Sequence, residues 1–290
     1  MSEYLLIKRL RVQNANALSS PFTFGFPAVS AFLGLAHALQ RYINPHADPD
    51  EFLINGVGIV SHAFAMQDHQ DGYSRTLRLT ANPLDKDGNR PSFVEEGRCH
   101  LTVSLLLEVE NLPNAPKRQE LLEQTLPALL LGRCKLAGGD ILNFDPIQTL
   151  EDKKANLRQL MPGYALMERR QLLAEAMQNG QDALDALHGF LQIRQYSERV
   201  QENDKESKDK ATWHSKRAQP GWLVPIAVGF HALTAPRLAE QQRDADTPHC
   251  FAESLVTLGE FVMPYRLERL ADLLWRYRPA GDFYTCTQQA

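Results

Sequence analysis

Two stretches of this chain carry side chains whose types and spacing suit ligand chemistry: QNANALSSPFT, residues 13–23, and WHSKR, residues 213–217. In the first, Asn14, Asn16, Ser19, Ser20 and Thr23 are short amides and hydroxyls that donate and accept hydrogen bonds in turn. A basic strand, LLIKRLRVQ, precedes them, and an Ala/Leu/Phe-rich helix follows Pro27, which can open a helix without losing a needed donor. Helix starts present backbone amides, so strand, polar loop and helix together suit a phosphate contact. No GxxxxGK[ST] or GxGxxG follows a strand, which removes the nucleotide-triphosphate loop from consideration. In the second stretch aromatic and cationic residues interleave. A base stacked on Trp213 or Trp222 is worth roughly 1–3 kcal/mol, while Lys216 and Arg217 would meet a nucleic-acid backbone. His214 has the chemistry of a general acid/base in RNA cleavage, although base or phosphate contact, or plain exposure, is commoner for such a residue.

Composition narrows the classes. The nine histidines are dispersed, without HExxH, HxH or a His-plus-carboxylate metal spacing, and no GxSxG occurs. Cys99, Cys134, Cys250 and Cys286 form no CxxC pair and read as reduced, mostly buried thiols of a cytoplasmic protein. No metal or cofactor is expected. Apolar runs such as Leu101–Leu107 fall far short of the roughly 20 residues of a membrane span, and the first residues, MSEYLLIKRL, lack the pattern of a secretory signal. The formal net charge is −4. A nucleic-acid binder of this charge must therefore concentrate its cations locally. Clusters at Arg9 and Arg11, Arg75 and Arg78, Arg133 and Lys135, Lys216 and Arg217, and residues 266–278 do this, although any one cluster alone is more often a solvated face.

The elements that must position these groups follow from periodicity. Strand alternation over 4–13 places Ile7, Arg9, Arg11 and Gln13 on one face and Leu6, Leu10 and Val12 on the other. A helix at 28–43, a strand at 53–65, an excursion over 66–96, a strand at 99–110, a helix from Pro116 to Arg133 and a strand at 141–148 complete the first half. The order β-α-β-(excursion)-β-α-β predicts an α+β, ferredoxin-like (RRM-like) domain over residues 1–150. Its Gly138-Gly139 turn, beside Arg133 and Lys135, could let backbone approach a phosphate, a helix cap being the commoner use of such glycines. Residues 151–290 read as a helical segment over 152–200, a mobile polar loop over 201–221, and further strands and a helix. WLVPIAVGFHAL is a strand in which Pro225 argues for an edge or a bulge. HCFAESLVTLGEF is strand or helix, and YRLERLADLLWRYR an amphipathic helix.

The segment RLRVQNANALSSPFTFGFPAVSAFLGLAHALQR resembles the N-terminus of the Csy-two subunit family of type I-F CRISPR surveillance complexes, in the Cas-five branch of the repeat-associated (RAMP) superfamily. LLGRCKLAGGDI resembles the superfamily's glycine-rich loop, and GWLVPIAVGF fits a late strand. The likeness covers nearly the whole chain, least well at 64–96 and 200–215. It implies a non-catalytic RNA-binding subunit that pairs with the large Csy-one subunit and caps the 5′ handle of the CRISPR RNA. The first backbone filament subunit lies alongside, and target DNA passes near the complex. It also implies a thumb folding over the RNA, for which residues 66–96 are the candidate. On this reading Gln13, Asn14, Asn16, Ser19 and Ser20 read bases and phosphates. Arg9, Arg11, Arg133 and Lys135 neutralise the backbone, and Trp213, His214, Lys216 and Arg217 add stacking and charge. Apolar helices over 155–200 and 265–277 are candidates for the large-subunit interface. The alternatives are a metal-independent RAMP endoribonuclease acting on repeat RNA, using His214 or Tyr73, and a protein adaptor that never touches RNA.

Overall fold

A fourteen-residue strand, β1 (Glu3–Asn16), runs through the centre of the computed structural model, which describes residues 3–44, 51–81, 84–199, 211–240, 242 and 244–288. β1 does not keep a strict period of two. Arg9 (φ 54°) and Asn14 (φ 60°) adopt left-handed backbone. At each, the register on its neighbour gains one residue, Ile7 facing Leu105 but Leu10 facing Val103, and Val12 facing Leu101 but Ala15 facing Cys99. These are β-bulges, and each resets which face the following residues occupy. Leu5, Ile7, Leu10, Val12 and Ala15 therefore all enter the main core, while Tyr4 and Leu6 enter a second one. The face predicted to hold Ile7 with Arg9, Arg11 and Gln13 is corrected accordingly: Ile7 is buried with Leu10 and Val12, and Arg11 and Gln13 are exposed.

After a small hairpin, β2 (Leu18–Ser20) and β3 (Thr23–Phe24), comes helix α1 (Val29–Ile43). Strand β4 (Leu53–Met66) follows. The excursion is a three-stranded sheet of its own: β5 (Asp68–Asp71), β6 (Ser74–Thr80) and β7 (Val94–Glu96). β8 (Arg98–Glu110) returns beside β1. The predicted helix from Pro116 is broken into α2 (Ala115–Glu120), a π-turn at Leu121–Thr125 and α3 (Leu126–Gly132). Pro127 accounts for the break, because it lacks the N–H that would bond back to residue 123. β9 (Lys135–Leu136), β10 (Gly139–Asn143) and β11 (Gln148–Leu150) complete the first half. The strands β4, β8, β1 and β10 lie side by side in that order, all antiparallel.

The second half contains β12 (Tyr164–Glu168), α4 (Arg170–Gln178), α5 (Ala183–Leu191), β13 (Ile193–Arg199) and β14 (Ala211–Arg217). β15 (Leu223–Ala232), β16 (Ala252–Val262), β17 (Leu274–Ala280) and β18 (Phe283–Thr287) end it. It shares the eleven-stranded sheet of the first half. The outer edge of β4 pairs with β17 at Val57–Gly58 and with β12 at Val60–Ser61, so β4, β17, β18, β15, β16 and β12 close into a ring. Pro225 sits at an end of β15 that has only β16 beside it, and a bulge lies between Ala227 and Gly229.

Several expectations for this half are corrected. Residues 152–200 are less helical than predicted: a 3-10 turn over Lys154–Leu160 and two nine-residue helices, which part at Asn179-Gly180, share the stretch with two strands, YALME and β13. YRLERLADLLWRYR is two 3-10 turns leading into β17. Tertiary burial overrides its helical periodicity: Leu270, Leu273, Leu274 and Trp275 are all fully buried, and the indole N–H of Trp275 donates to the Leu166 carbonyl at 3.0 Å. They are therefore not an exposed partner surface. Residues 211–217, predicted as loop, are a strand; 201–210 lie outside the described residues.

The two faces of the central strands differ. Helices α1 and α3 cover one face through Phe32, Leu35, Leu39, Leu126 and Leu130. On the other, Leu157, Leu160, Leu270 and Leu273 cover Tyr4, Leu6, Val60 and Leu106. Each such leucine contributes roughly 1.5–3 kcal/mol, enough to hold the short turns that carry them in place. Among the described residues this layer stops short of the part of the face that bears Arg11 and His100, which stays open.

Candidate nucleic-acid interface

On the uncovered half, facing residues in adjacent strands define rows. Arg11 of β1 stands opposite Thr102 of β8, which stands opposite Ala63 of β4; in the next row His100 stands opposite Ala65. The small Ala63 and Ala65 keep the floor low, producing a trough of about 350 Å³ with Arg11, Gln13, His100 and Leu142 around it. A second hollow of about 480 Å³ shares Gln13 and His100 and adds Asn14, Gln67, Arg98 and, from the excursion, Arg78. Arg98 is paired with Glu96 at 3.2 Å. Arg11 and Arg78 have no carboxylate partner among the described residues, so each leaves an uncompensated positive charge, while Glu96 and Asp140, which also line the second hollow, offset Arg98 and Lys135.

The second bulge builds this geometry. Asn tolerates left-handed backbone better than other non-glycine residues, and at Asn14 that conformation turns the backbone N–H onto Nδ1 of His100 at 3.0 Å. In the neutral imidazole the proton then resides on Nε2, which remains the ring's donor. Gly139 of β10 abuts the same bulge. A Cβ there would lie 2.7 Å from the Gln13 carbonyl oxygen and the Ala15 nitrogen. At the inner end, His62 Nδ1–H donates to the Pro162 carbonyl at 2.5 Å, and the Ser104 hydroxyl donates to Nε2 at 2.6 Å. Ser104 Oγ in turn accepts the backbone N–H of Arg9 at the first bulge, at 3.1 Å. Burial lowers the His62 pKa from the ordinary histidine value, with the charges of Arg9 and Lys8 acting in the same direction against the Pro162 bond.

Of the residues picked out from sequence, Arg11 and Gln13 line the trough, Gln13 and Asn14 the adjoining hollow, and Arg9 lies exposed at the first bulge. Others have structural partners. Asn16 closes a turn on the Leu18 backbone, and Ser20 Oγ bonds Thr23 at 2.7 Å and accepts the Phe22 N–H, which shapes the β2–β3 hairpin. The Ser19 hydroxyl is buried and finds no partner among the described residues. The start of α1 is packed rather than open, with Phe26 stacked on Phe32 at 5.6 Å and edge-on to Phe261 at 5.3 Å. Gly139 gives its space to β1, not to a phosphate, and the Ala137-Gly138 turn links β9 to β10.

Lys135 is tied to Asp140 at 2.7 Å at the rim of the second hollow. Arg133 belongs to the helix-covered side, its guanidinium 5.9 Å from the Tyr42 ring centre. Trp213, His214, Lys216 and Arg217 lie on the separate β13–β14 hairpin, and Tyr73 on the turn between β5 and β6. Sequence reasoning missed His100, Thr102 and Arg98, and named Arg78 only among its basic clusters. The signal was present for three of them: Arg98, His100, Thr102 and Ser104 alternate with Cys99, Leu101, Val103 and Leu105, the pattern of one uncovered strand face.

All four cysteines are free; burial pushes the Cys99 thiol up to about 11 and the Cys286 thiol up to about 12, so neither supplies a thiolate near neutrality. Among the described residues no cluster of His, Cys, Asp and Glu is arranged to hold a metal ion, and no helix is long and apolar enough to cross a membrane. The family model for the CRISPR-associated protein Cas_Csy2 matches residues 5–286. A CRISPR-associated protein Csy2 of Pseudomonas aeruginosa (strain UCBPP-PA14) is 38% identical over 308 aligned positions, covering 96% of this chain and 92% of that relative. A match of this extent takes in β1, the excursion and the closing strands together: the chain belongs to the Csy2 family, the type I-F Csy subunits of CRISPR systems.

Proposed function

We propose that this chain is a non-catalytic RNA-binding subunit of the Csy complex that holds the 5′ handle of the CRISPR RNA in the sheet trough. The excursion over 66–96 acts as a thumb above it. The observation that carries the reading is the half-covered sheet face: a positive trough over alanines, continuous with a hollow that reaches Arg78 of the excursion. Unpaired RNA suits it, because splayed bases need shallow surfaces and edge-reading groups while phosphates need cations. Gln13, Thr102 and His100 Nε2–H read edges, and Arg9, Arg11, Arg78 and Arg98 meet the backbone.

The order β4-β8-β1-β10 with both helices on one face supports a ferredoxin-like RAMP domain as the frame. The large Csy-one subunit and the first backbone subunit would flank the RNA, and the complex so assembled would act on invading DNA in the cytoplasm. A chain of net charge −4 fits a subunit that grips a few nucleotides and shares the rest with neighbours. His214 and Tyr73, the candidates for RNA cleavage, sit on hairpins outside the trough, which favours the scaffold reading.

The test is binding of a labelled handle RNA to the chain co-purified with its large subunit. Arg11→Ala and His100→Ala should each weaken binding roughly tenfold, a loss of about 1.4 kcal/mol. Arg11→Ala alone should also lower the salt slope, by about 0.7. Unchanged affinity in both variants refutes the assignment.

A further inference from the structure

Away from the trough, α5 and the β13–β14 hairpin enclose a hollow of about 410 Å³. Its floor is Ala186, Gly189 and Phe190 of the helix, and its rim is Arg194, Lys216 and Arg217 of the hairpin. The hairpin register explains the rim. Arg194 stands opposite Lys216 and Tyr196 opposite His214, and residues two apart in a strand share a face. One side of the ribbon therefore carries two cations followed by an aromatic pair, whose rings stack at 5.3 Å with 24° between planes.

Among the described residues the cations are not compensated by acids. Arg194 and Arg217 bond only neutral oxygens, the Gln192 side chain and the Gly221 carbonyl, each at 3.2 Å, and Lys216 has no carboxylate partner among the described residues. The acid on this face among the described residues, Glu198, lies 3.5 Å from His214, in the row beyond the aromatic pair and two rows from the cations.

We propose that this hollow and the ribbon face above it bind single-stranded nucleic acid, independently of the trough. One base lies on Phe190, a neighbour packs on the Tyr196–His214 pair, and the phosphates meet Arg194, Lys216 and Arg217. Three cations alone would also suit an acidic peptide. The apolar floor and the stacked rings in line with them favour a polymer that offers a flat apolar face every residue and a charge between.

The test uses the full chain with unlabelled handle RNA present, so that the trough site is saturated. Fluorescence anisotropy then follows fluorescein-labelled oligothymidylate and oligouridylate, each of fifteen nucleotides. The Arg194→Ala/Lys216→Ala variant should weaken binding by about tenfold or more and lower the salt slope by about 0.7 for each cation removed. Tyr196→Ala should weaken binding at an unchanged slope, because stacking releases no counterions. A loss confined to the thymidylate assigns the site to DNA, and a loss confined to the uridylate to RNA. A double variant that melts at the parent's temperature yet binds both oligonucleotides as the parent does overturns the proposal. So does a polyglutamate peptide that competes fully while Tyr196→Ala has no effect.

Discussion

Adding one methyl group at Gly139 tests whether the second bulge of β1 positions the trough. The added Cβ would lie 2.7 Å from the Ala15 nitrogen and the Gln13 oxygen and 2.8 Å from the Ala15 Cα. All three are backbone atoms, so no side chain can swing aside; β1 or β10 must move. Overpacking of this kind costs about 1–3 kcal/mol, and rigid neighbours place Gly139→Ala near the upper end. The neighbouring Gly138 is an internal control. It has φ 74° and nothing within 4 Å of its added Cβ, so Gly138→Ala meets only backbone strain, of about 1 kcal/mol. Thermal melting should place Gly139→Ala roughly 5–10 °C below the parent and Gly138→Ala about 2–4 °C below it. Because the displaced atoms flank Asn14, whose N–H orients His100, handle RNA binding should weaken in Gly139→Ala and stay near the parent's in Gly138→Ala. Equal melting temperatures for the two variants, or a smaller loss at Gly139, would refute the reasoning.

His62 makes stability depend on pH. Its folded pKa is lowered by burial, so the unfolded chain binds a proton at a pH where the folded chain does not, and stability must fall as pH drops through the ordinary histidine value of about 6.5. Melting curves from pH 8 to pH 5 should show this fall, and His62→Gln should reduce it; a slope identical in both would remove His62 as its source. Arg276 meets Glu108 at 2.7 Å, the carboxylate side chain being 11% exposed and the guanidinium 31%. Arg276→Met strands a largely buried charge and should cost roughly 2–4 kcal/mol, while adding Glu108→Gln should recover most of it. Urea titration of the two variants reads this directly, and additive losses would contradict it.

The first half was read well because its elements are long and its signals agree. Apolar alternation at 99–110, the helix opened by Pro27, and polar turns bracketing 66–96 all appear where periodicity places them. The errors have local causes. Nothing in LLIKRLRVQNAN announces that Arg9 and Asn14 take left-handed backbone, and the unseen bulge at Arg9 was enough to part Ile7 from the face of Arg11 and Gln13. Asn16 and Ser20 looked like ligand groups because short polar side chains that read bases are the same ones that close turns. YRLERLADLLWRYR has a helix's spacing, but Leu274 and Trp275 enter the strand ring, a long-range fact that no local window contains. His100 lies in plain alternation on β8, but its partner is the backbone N–H of Asn14, 86 residues away in sequence, so nothing local marks it as a site residue.

Ultraviolet crosslinking of the assembled complex to its own RNA, with the modified peptides and nucleotides identified by mass spectrometry, tests the central claim most directly. The account predicts adducts between nucleotides at the 5′ end and the peptides carrying Gln13, Asn14 and His100. Adducts from that end that fall instead on α1 or α3, on the covered side of the sheet, would contradict it.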